Sequence, residues 1–188
     1  MELEIIKNAK TKRIGKDIIY FEEIESTQDY AKEVAKKDCI DGTIVITDMQ
    51  TKGKGTKGRS WYTTKGSNII MSIILEDNLN ISNLQGITIK IAECMKNAIK
   101  NLYNIELIIK EPNDLILNNK KISGILTQSS IIGDKVEYLV IGIGFNVNEE
   151  NFNEEISNIA TSLKKEFNKQ FSREKIIVKF IEELEKIF

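Results

Sequence analysis

Histidine is absent from this chain, proline occurs once and cysteine twice. Without imidazole, Ser-His-Asp and Cys-His triads cannot be built, and neither can zinc sites that depend on histidine. Any catalysis must lean on lysine, carboxylates or positioned backbone dipoles. Cys39 and Cys94 stand far apart with no metal-ligand spacing, so they read as reduced side chains. The sequence shows no basic-then-apolar leader and no apolar run of about 18 residues, so a soluble cytoplasmic protein with no membrane partner is expected. Charge of one sign is lacking too. The 27 Lys and Arg against 28 Asp and Glu leave a net charge of −1, which gives no whole-molecule field for nucleic acid. At 188 residues the chain suits one core, and a single domain over 1–188 is expected.

What is present concentrates in Gln50 to Trp61. Three glycines and four cations fall within these twelve residues, which close on the only tryptophan. Glycine permits positive φ and close approach of backbone N–H groups, while Lys and Arg neutralise anionic oxygens, so the segment reads as an anion-holding loop. A solvated basic turn is the simpler alternative. Gly53, Gly55 and Gly58 also spell G-x-G-x-x-G, and Gly53 to Ser60 comes close to a Walker A loop. Both motifs require a helix directly afterwards. Residues 61–66 favour strand and turn, so neither motif is expected to operate, and the loop joins strands at 43–47 and 68–75.

Periodicity along the chain predicts an α+β domain with a mixed, largely antiparallel sheet packed by helices. A strand over 18–24 precedes a helix capped by Ser26 or Thr27 and ending near Asp38. Ser82-x-x-Gln85 reads as the capping box of the longest helix, whose apolar stripe runs from Ile87 to Leu102. Strands follow at 105–109, 114–117, 121–128 and 136–142, turned by Asn118-Asn119 and Gly133-Asp134. Ser172 opens a last helix with a core stripe from Ile176 to Ile187.

Three further segments stand out. Lys110-Glu111-Pro112-Asn113-Asp114 holds the single proline at a strand end, either as a plain turn or with Lys110 facing a ligand. Lys121-Ile122-Ser123-Gly124 places glycine inside a strand, as a bulge or a close approach. Gly142-Ile143-Gly144-Phe145-Asn146 bares one sheet face, for a pocket floor or for tight helix packing. Four such elements on neighbouring strands suggest one concave site.

Taken in order, these segments resemble the catalytic domain of biotin protein ligases, with a class II synthetase-like biotin/lipoate ligase fold. The family carries a Ser-Thr pair before its first helix, then G-R-G-R-x-G-R-x-W, K-W-P-N-D, K-x-x-G-I-L and G-I-G-x-N-V-N. The counterparts here are Ser26-Thr27-Gln28, Gly53 to Trp61, Lys110 to Asp114, Lys121 to Leu126 and Gly142 to Asn148. Ala160-Thr161-Ser162-Leu163 is similar to a further family stretch. The resemblance implies that biotin and MgATP form biotinyl-5′-AMP, and that biotin then passes to a lysine of a biotin carboxyl carrier protein. Magnesium would be held by phosphates and water, with no protein metal site. It further implies that Ser26, Thr27, Gln28, Gln50, Gly53, Lys54, Gly55, Thr56, Gly142 and Gly144 serve biotin. Gly58, Arg59, Trp61, Asn113, Lys121 and Asn146 would serve the nucleotide. Lys110 and Arg59 would be the catalytic cations, with Lys110 bridging the biotin carboxylate and α-phosphate.

The sequence departs from the family pattern at four positions. Thr56 and Lys54 stand for arginines, Glu111 for tryptophan and Gln128 for an acidic residue. The resemblance covers neither the N-terminal DNA-binding domain nor the small C-terminal β-domain of some relatives, so no DNA partner is expected; homodimers occur in the family. A lipoate or octanoate ligase or transferase, a noncatalytic nucleic-acid-binding module and an inactive biotin binder remain the alternatives.

Overall fold

The computed structural model describes residues 1–188 except Asp38, Asp77, Asn78 and the side chain of Asn83. In chain order the elements are α1 (Leu3–Lys7), β1 (Ile18–Phe21), α2 (Thr27–Ala35), β2 (Ile44–Thr47), β3 (Ile69–Leu75), α3 (Ile81–Leu84) and α4 (Ile87–Tyr103). They continue with β4 (Ile108–Lys110), β5 (Asp114–Leu117), β6 (Lys120–Ile132), β7 (Lys135–Phe145), α5 (Leu163–Phe167) and α6 (Arg173–Leu184). One seven-stranded sheet has the order β1-β2-β3-β7-β6-β5-β4. All its pairings are antiparallel except β1 with β2, which α2 joins as a crossover. The expected largely antiparallel α+β sheet is therefore present.

Alternation along the strands divides the sheet into two unlike faces. Met71, Ile73, Ile141, Ile143 and Phe145 join the buried cluster that also takes Ile91, Met95 and Ile99 of α4 and Ile177, Phe180 and Ile181 of α6. Val45, Ile74 and Val140 point the other way and meet Ala31 of α2. Ser26 caps α2 by accepting the Asp29 N–H at 3.3 Å. The expected helix end at Asp38 lies outside the described residues.

The structure departs from several of the expected elements, and the strands expected over 121–128 and 136–142 run on to Ile132 and Phe145. Ser82 and Gln85 do not cap the long helix: Gly86 at φ 69° interrupts the chain and α4 starts at Ile87, while the Ser82 hydroxyl turns to Asn80 at 2.5 Å. The first strand stops at Phe21, and Ile24 returns only as an isolated parallel bridge to Gln50. The strand expected over 105–109 begins at Ile108, because Asn104 in the left-handed region ends α4 and Ile105 and Leu107 are buried under the helices. Ile187 lies past the end of α6 and is exposed. Both turns form, with Asn118, Asn119 and Gly133 at positive φ.

A buried polar knot ties the elements together. Arg173, the first residue of α6, donates to Asp48 Oδ1 at 2.7 Å, and the Tyr20 hydroxyl donates to Asp48 Oδ2 at 2.6 Å. Burial opposes ionisation of Asp48, but Tyr20 and Arg173 outweigh it and hold the carboxyl below the usual range. The same bond, aided by burial, pushes the Tyr20 hydroxyl up to about 12. Because the Asp48 value is lower in the folded than in the unfolded chain, its stabilisation is whole above about pH 4 and drains as pH falls through the folded value. Asp48→Asn should cost about 3 kcal/mol at pH 7. In urea unfolding, the gap from the native sequence should narrow at pH 3; a gap constant with pH would contradict this.

Candidate active site

On the face opposite the α4 and α6 core, the register sets three rows side by side. Ile70, Gly144 and Gly124 form one, Ser72, Gly142 and Leu126 the next, and Ile74, Val140 and Gln128 the third. Helix α2 covers the third row. Over the first two opens a cavity of about 380 Å³, walled by the loop between β2 and β3 and by the segment following β7.

The β2–β3 loop is a narrow hairpin flap. Trp61 N–H donates to Gly53 O at 2.9 Å and Gly55 N–H to Arg59 O at 2.7 Å. Lys57 and Gly58 turn the chain with φ of 57° and 72°. No nucleotide-type helix follows it, and the flap itself holds a single 3-10 turn at Thr56–Gly58. The N–H groups of Gly55 and Trp61 close the hairpin, so they are not aimed at a ligand. Gly53 is required by close approach: a Cβ there would strike the Trp61 carbonyl and Gln50 Nε2.

The glycines of the floor admit protein side chains. A Cβ on Gly144 would overlap the Trp61 indole, one on Gly124 would press its edge at 3.0 Å, and one on Gly142 would overlap Gln28 Oε1. The expected bare floor is thus already carpeted by Trp61 and Gln28. Lys121 Nζ lies 5.5 Å from the centre of the Trp61 ring, within cation–π reach, and 2.6 Å from Asp114 Oδ1.

One end of the cavity is polar and uncharged. Gln50 Oε1 accepts from the Thr27 N–H at 2.8 Å and from its hydroxyl at 3.0 Å. The buried Ser72 hydroxyl lies 3.0 Å from Thr27 Oγ1 and 3.1 Å from Gln28 Oε1. Gln28 Nε2 donates to Gln128 Oε1 at 3.2 Å. Lys121, Asn113 and Asn146 line the cavity near the start of β6, and Arg59 lines it from the flap. Asn113 and Asn146 are fixed by donating to the carbonyls of Ile125 at 3.2 Å and Thr161 at 3.1 Å. Arg59 is exposed and donates to Thr56 Oγ1 at 2.9 Å.

Of the expected site residues, Thr27, Gln28, Gln50, Lys54, Gly55, Thr56, Arg59, Trp61, Asn113, Lys121, Gly142, Gly144 and Asn146 line this one cavity. Ser26, Gly53, Gly58 and Lys110 do not. Ser26 and Gly53 shape the wall from behind, and Gly58 sits at the flap tip. Lys110 is exposed at the end of β4, opposite Asp114 and on the row that continues through Gly124 to Gly144. It occupies the cavity face of the sheet but lies outside the wall, as does the exposed Glu111. Lys54 is held at 2.5 Å by Asp29 of α2. Burial would raise the Asp29 carboxyl, but Lys54 and Lys32 bring it below its usual value. Reading the sequence missed Ser72, Asn68 and Glu149. A lone serine in the apolar run Ile69–Leu75 was the available signal for the first; Asn68 and Glu149 carried none.

Comparison with known proteins then places the chain. The model of the Biotin/lipoate A/B protein ligase family matches residues 20–146. The chain belongs to this family. Among curated relatives in the family, it is 35% identical over 178 residues to the bifunctional ligase/repressor BirA of Bacillus subtilis, covering 94% of this chain and 55% of that protein. It is 33% identical over 181 residues to the human biotin--protein ligase, covering 92% of this chain and 24% of that protein. The chain thus spans about half or less of the length of these relatives. The biotin protein ligase of Aquifex aeolicus in complex with biotin and ATP superposes with a TM-score of 0.78 at 28% identity, covering 92% of this chain and 70% of that one.

Replacing Gly144 with Ala should push the indole off the floor. Overpacking of this kind costs about 1–3 kcal/mol. Emission from the only tryptophan should move to the red as the ring meets water; unchanged emission and stability would contradict the contact.

Proposed function

We propose that the chain is the catalytic part of an ATP-dependent biotin--[biotin carboxyl carrier protein] ligase. The observation that carries this reading is one hollow with a neutral hydrogen-bonding end and a cationic, aromatic end, roofed by the flap. Thr27, Gln28, Gln50 and Ser72 suit a ureido head, which offers donors and acceptors but no charge. Arg59 and Lys121 suit phosphate, and Trp61 offers a flat surface near the nucleotide.

In the first step a biotin carboxylate oxygen attacks the α-phosphorus of MgATP, the bond from that phosphorus to the bridging oxygen breaks, and pyrophosphate leaves with its magnesium. In the second, a carrier lysine amine attacks the acyl carbon, the carbon–oxygen bond to phosphate breaks, AMP leaves and the amine loses a proton. Neither step needs imidazole in the wall. Bringing two anions together is the main barrier, and fixed cations with in-line positioning lower it. Lys110 takes the carboxylate and α-phosphate in this reading, reaching inward along its row, while Lys121 holds the nucleotide side.

A lipoate or octanoate substrate is the second reading, since the family includes lipoate ligases. The buried polar group at Thr27, Gln28, Gln50 and Ser72 disfavours it, because an apolar chain or dithiolane adds nothing to the bonds these side chains make to one another, whereas a ureido head offers them further donors and acceptors. A nucleic-acid role is weakened by the pairing of Lys52, Lys54 and Lys65 with Glu25, Asp29 and Glu22.

Acid-dependent exchange of pyrophosphate into ATP tests the proposal. Biotin should drive exchange and lipoate should not; the reverse would reassign the substrate, and silence with both would overturn the activity. Lys110→Ala should lower biotin-driven exchange roughly 100-fold or more. Undiminished exchange there, with loss in Lys121→Ala, would move the key charge to Lys121.

A further inference from the structure

We propose that Arg173 is a positioning residue that clamps the two stems of the flap and, through them, sets both walls of the cavity. Arg173 itself does not line the cavity, whereas its partner Asn68 does. From one nitrogen the Arg173 guanidinium donates to Asp48 Oδ1 at 2.7 Å and to the Asn68 carbonyl at 3.2 Å. Asp48 is the last residue but one before the flap begins at Gln50, and Asn68 is the residue immediately before β3. The stems are further joined by Gly66 N–H donating to Asp48 O at 3.0 Å.

From Asn68 the connection passes to the opposite wall. Asn68 Oδ1 accepts the Val147 N–H at 3.0 Å and its amide nitrogen lies 3.4 Å from Glu149 Oε2. Glu149 Oε1 accepts the N–H groups of Glu150 at 3.1 Å and Asn151 at 3.0 Å, which starts the segment that walls the cavity. The side chains of Arg173 and Asp48 keep only 11% and 12% of their exposure, so water screens this charge pair little. A buried, charge-assisted contact at a loop base restrains the loop more than surface pairs at its tip can. The clamp stands on geometry alone, whereas its effect on catalysis rests on the proposed ligase reading.

Limited trypsin digestion of the full chain, read by mass spectrometry, tests the clamp without any ligand. The flap and its stem offer Lys52, Lys54, Lys57, Arg59 and Lys65 as cut sites. Well below the unfolding temperature, Arg173→Met should be nicked within this segment roughly tenfold faster than the native sequence, with cleavage elsewhere unchanged. An unchanged flap rate, or an equal rise at every site, would overturn the proposal. Should Arg173→Met fail to unfold cooperatively, Arg173→Lys carries the test, because it keeps the charge on a differently shaped head that does not place a nitrogen where Nη1 meets both partners. It should show a rise of roughly threefold confined to the flap, and no rise overturns the clamp. In pyrophosphate exchange, Arg173→Met should raise KM for biotin and MgATP roughly tenfold with kcat nearly kept, since binding geometry is lost and no reacting group is removed. A fall in kcat at unchanged KM would refute the positioning role. If the native protein shows no biotin-dependent exchange, the ligase reading fails and the digestion still decides the clamp.

Discussion

An indole ring lying on bare sheet backbone is the contact on which the site depends. Gly124 and Gly144 face one another across β6 and β7, and Trp61 occupies the space that two side chains would take. The same strands send Ile125, Ile143 and Phe145 to the opposite face, where the helices bury them. Strand alternation therefore lets one segment furnish a dense core and a shallow trough at once. The flap can reach that trough only because its hairpin is closed by Gly53 and Gly55 and turned by Lys57 and Gly58 in the left-handed region.

Charge is distributed to keep the flap poised and its cations few. Lys52 and Lys54 pair with acids beside and within the first turn of α2, and Lys65 pairs with Glu22. Within the flap, Arg59 turns back on Thr56, a neutral partner that an incoming anion can outcompete. Lys121 is shared between Asp114 and the face of Trp61. A chain without histidine can in this way assemble positive potential around a neutral binding end, and anion positioning is the chemistry such a hollow supports.

The strands, the two long helices and the joining of the flap to the sheet were legible because apolar periodicity and turn residues act locally. Other features depended on distant partners. Ser82 and Gln85 satisfied a capping pattern, yet the left-handed Gly86 decided where α4 begins. The parallel pairing of β1 and β2 has no local signature, since it follows from where α2 lays the chain. Four segments announced a shared site through glycine and lysine placement, but sequence spacing could not tell that Gly142 and Gly144 make room for Gln28 and Trp61. Nor could the motif at Lys110 reveal that its side chain stands outside the wall while Lys121 lines it. Asn68, Glu149 and Arg173 join through contacts more than seventy residues apart in the chain, beyond the reach of any motif.

A trough shaped by glycine, a flap held at its base and a hollow with neutral and cationic groups together suit the proposed activation and transfer of biotin. Incubating the protein with biotin, MgATP and a purified biotin carboxyl carrier domain, then weighing the carrier, tests that claim most directly. The account predicts that the carrier gains the mass of one biotinyl group, on its acceptor lysine, only when biotin and MgATP are both present. A carrier of unchanged mass, or one modified by lipoate in place of biotin, would contradict it.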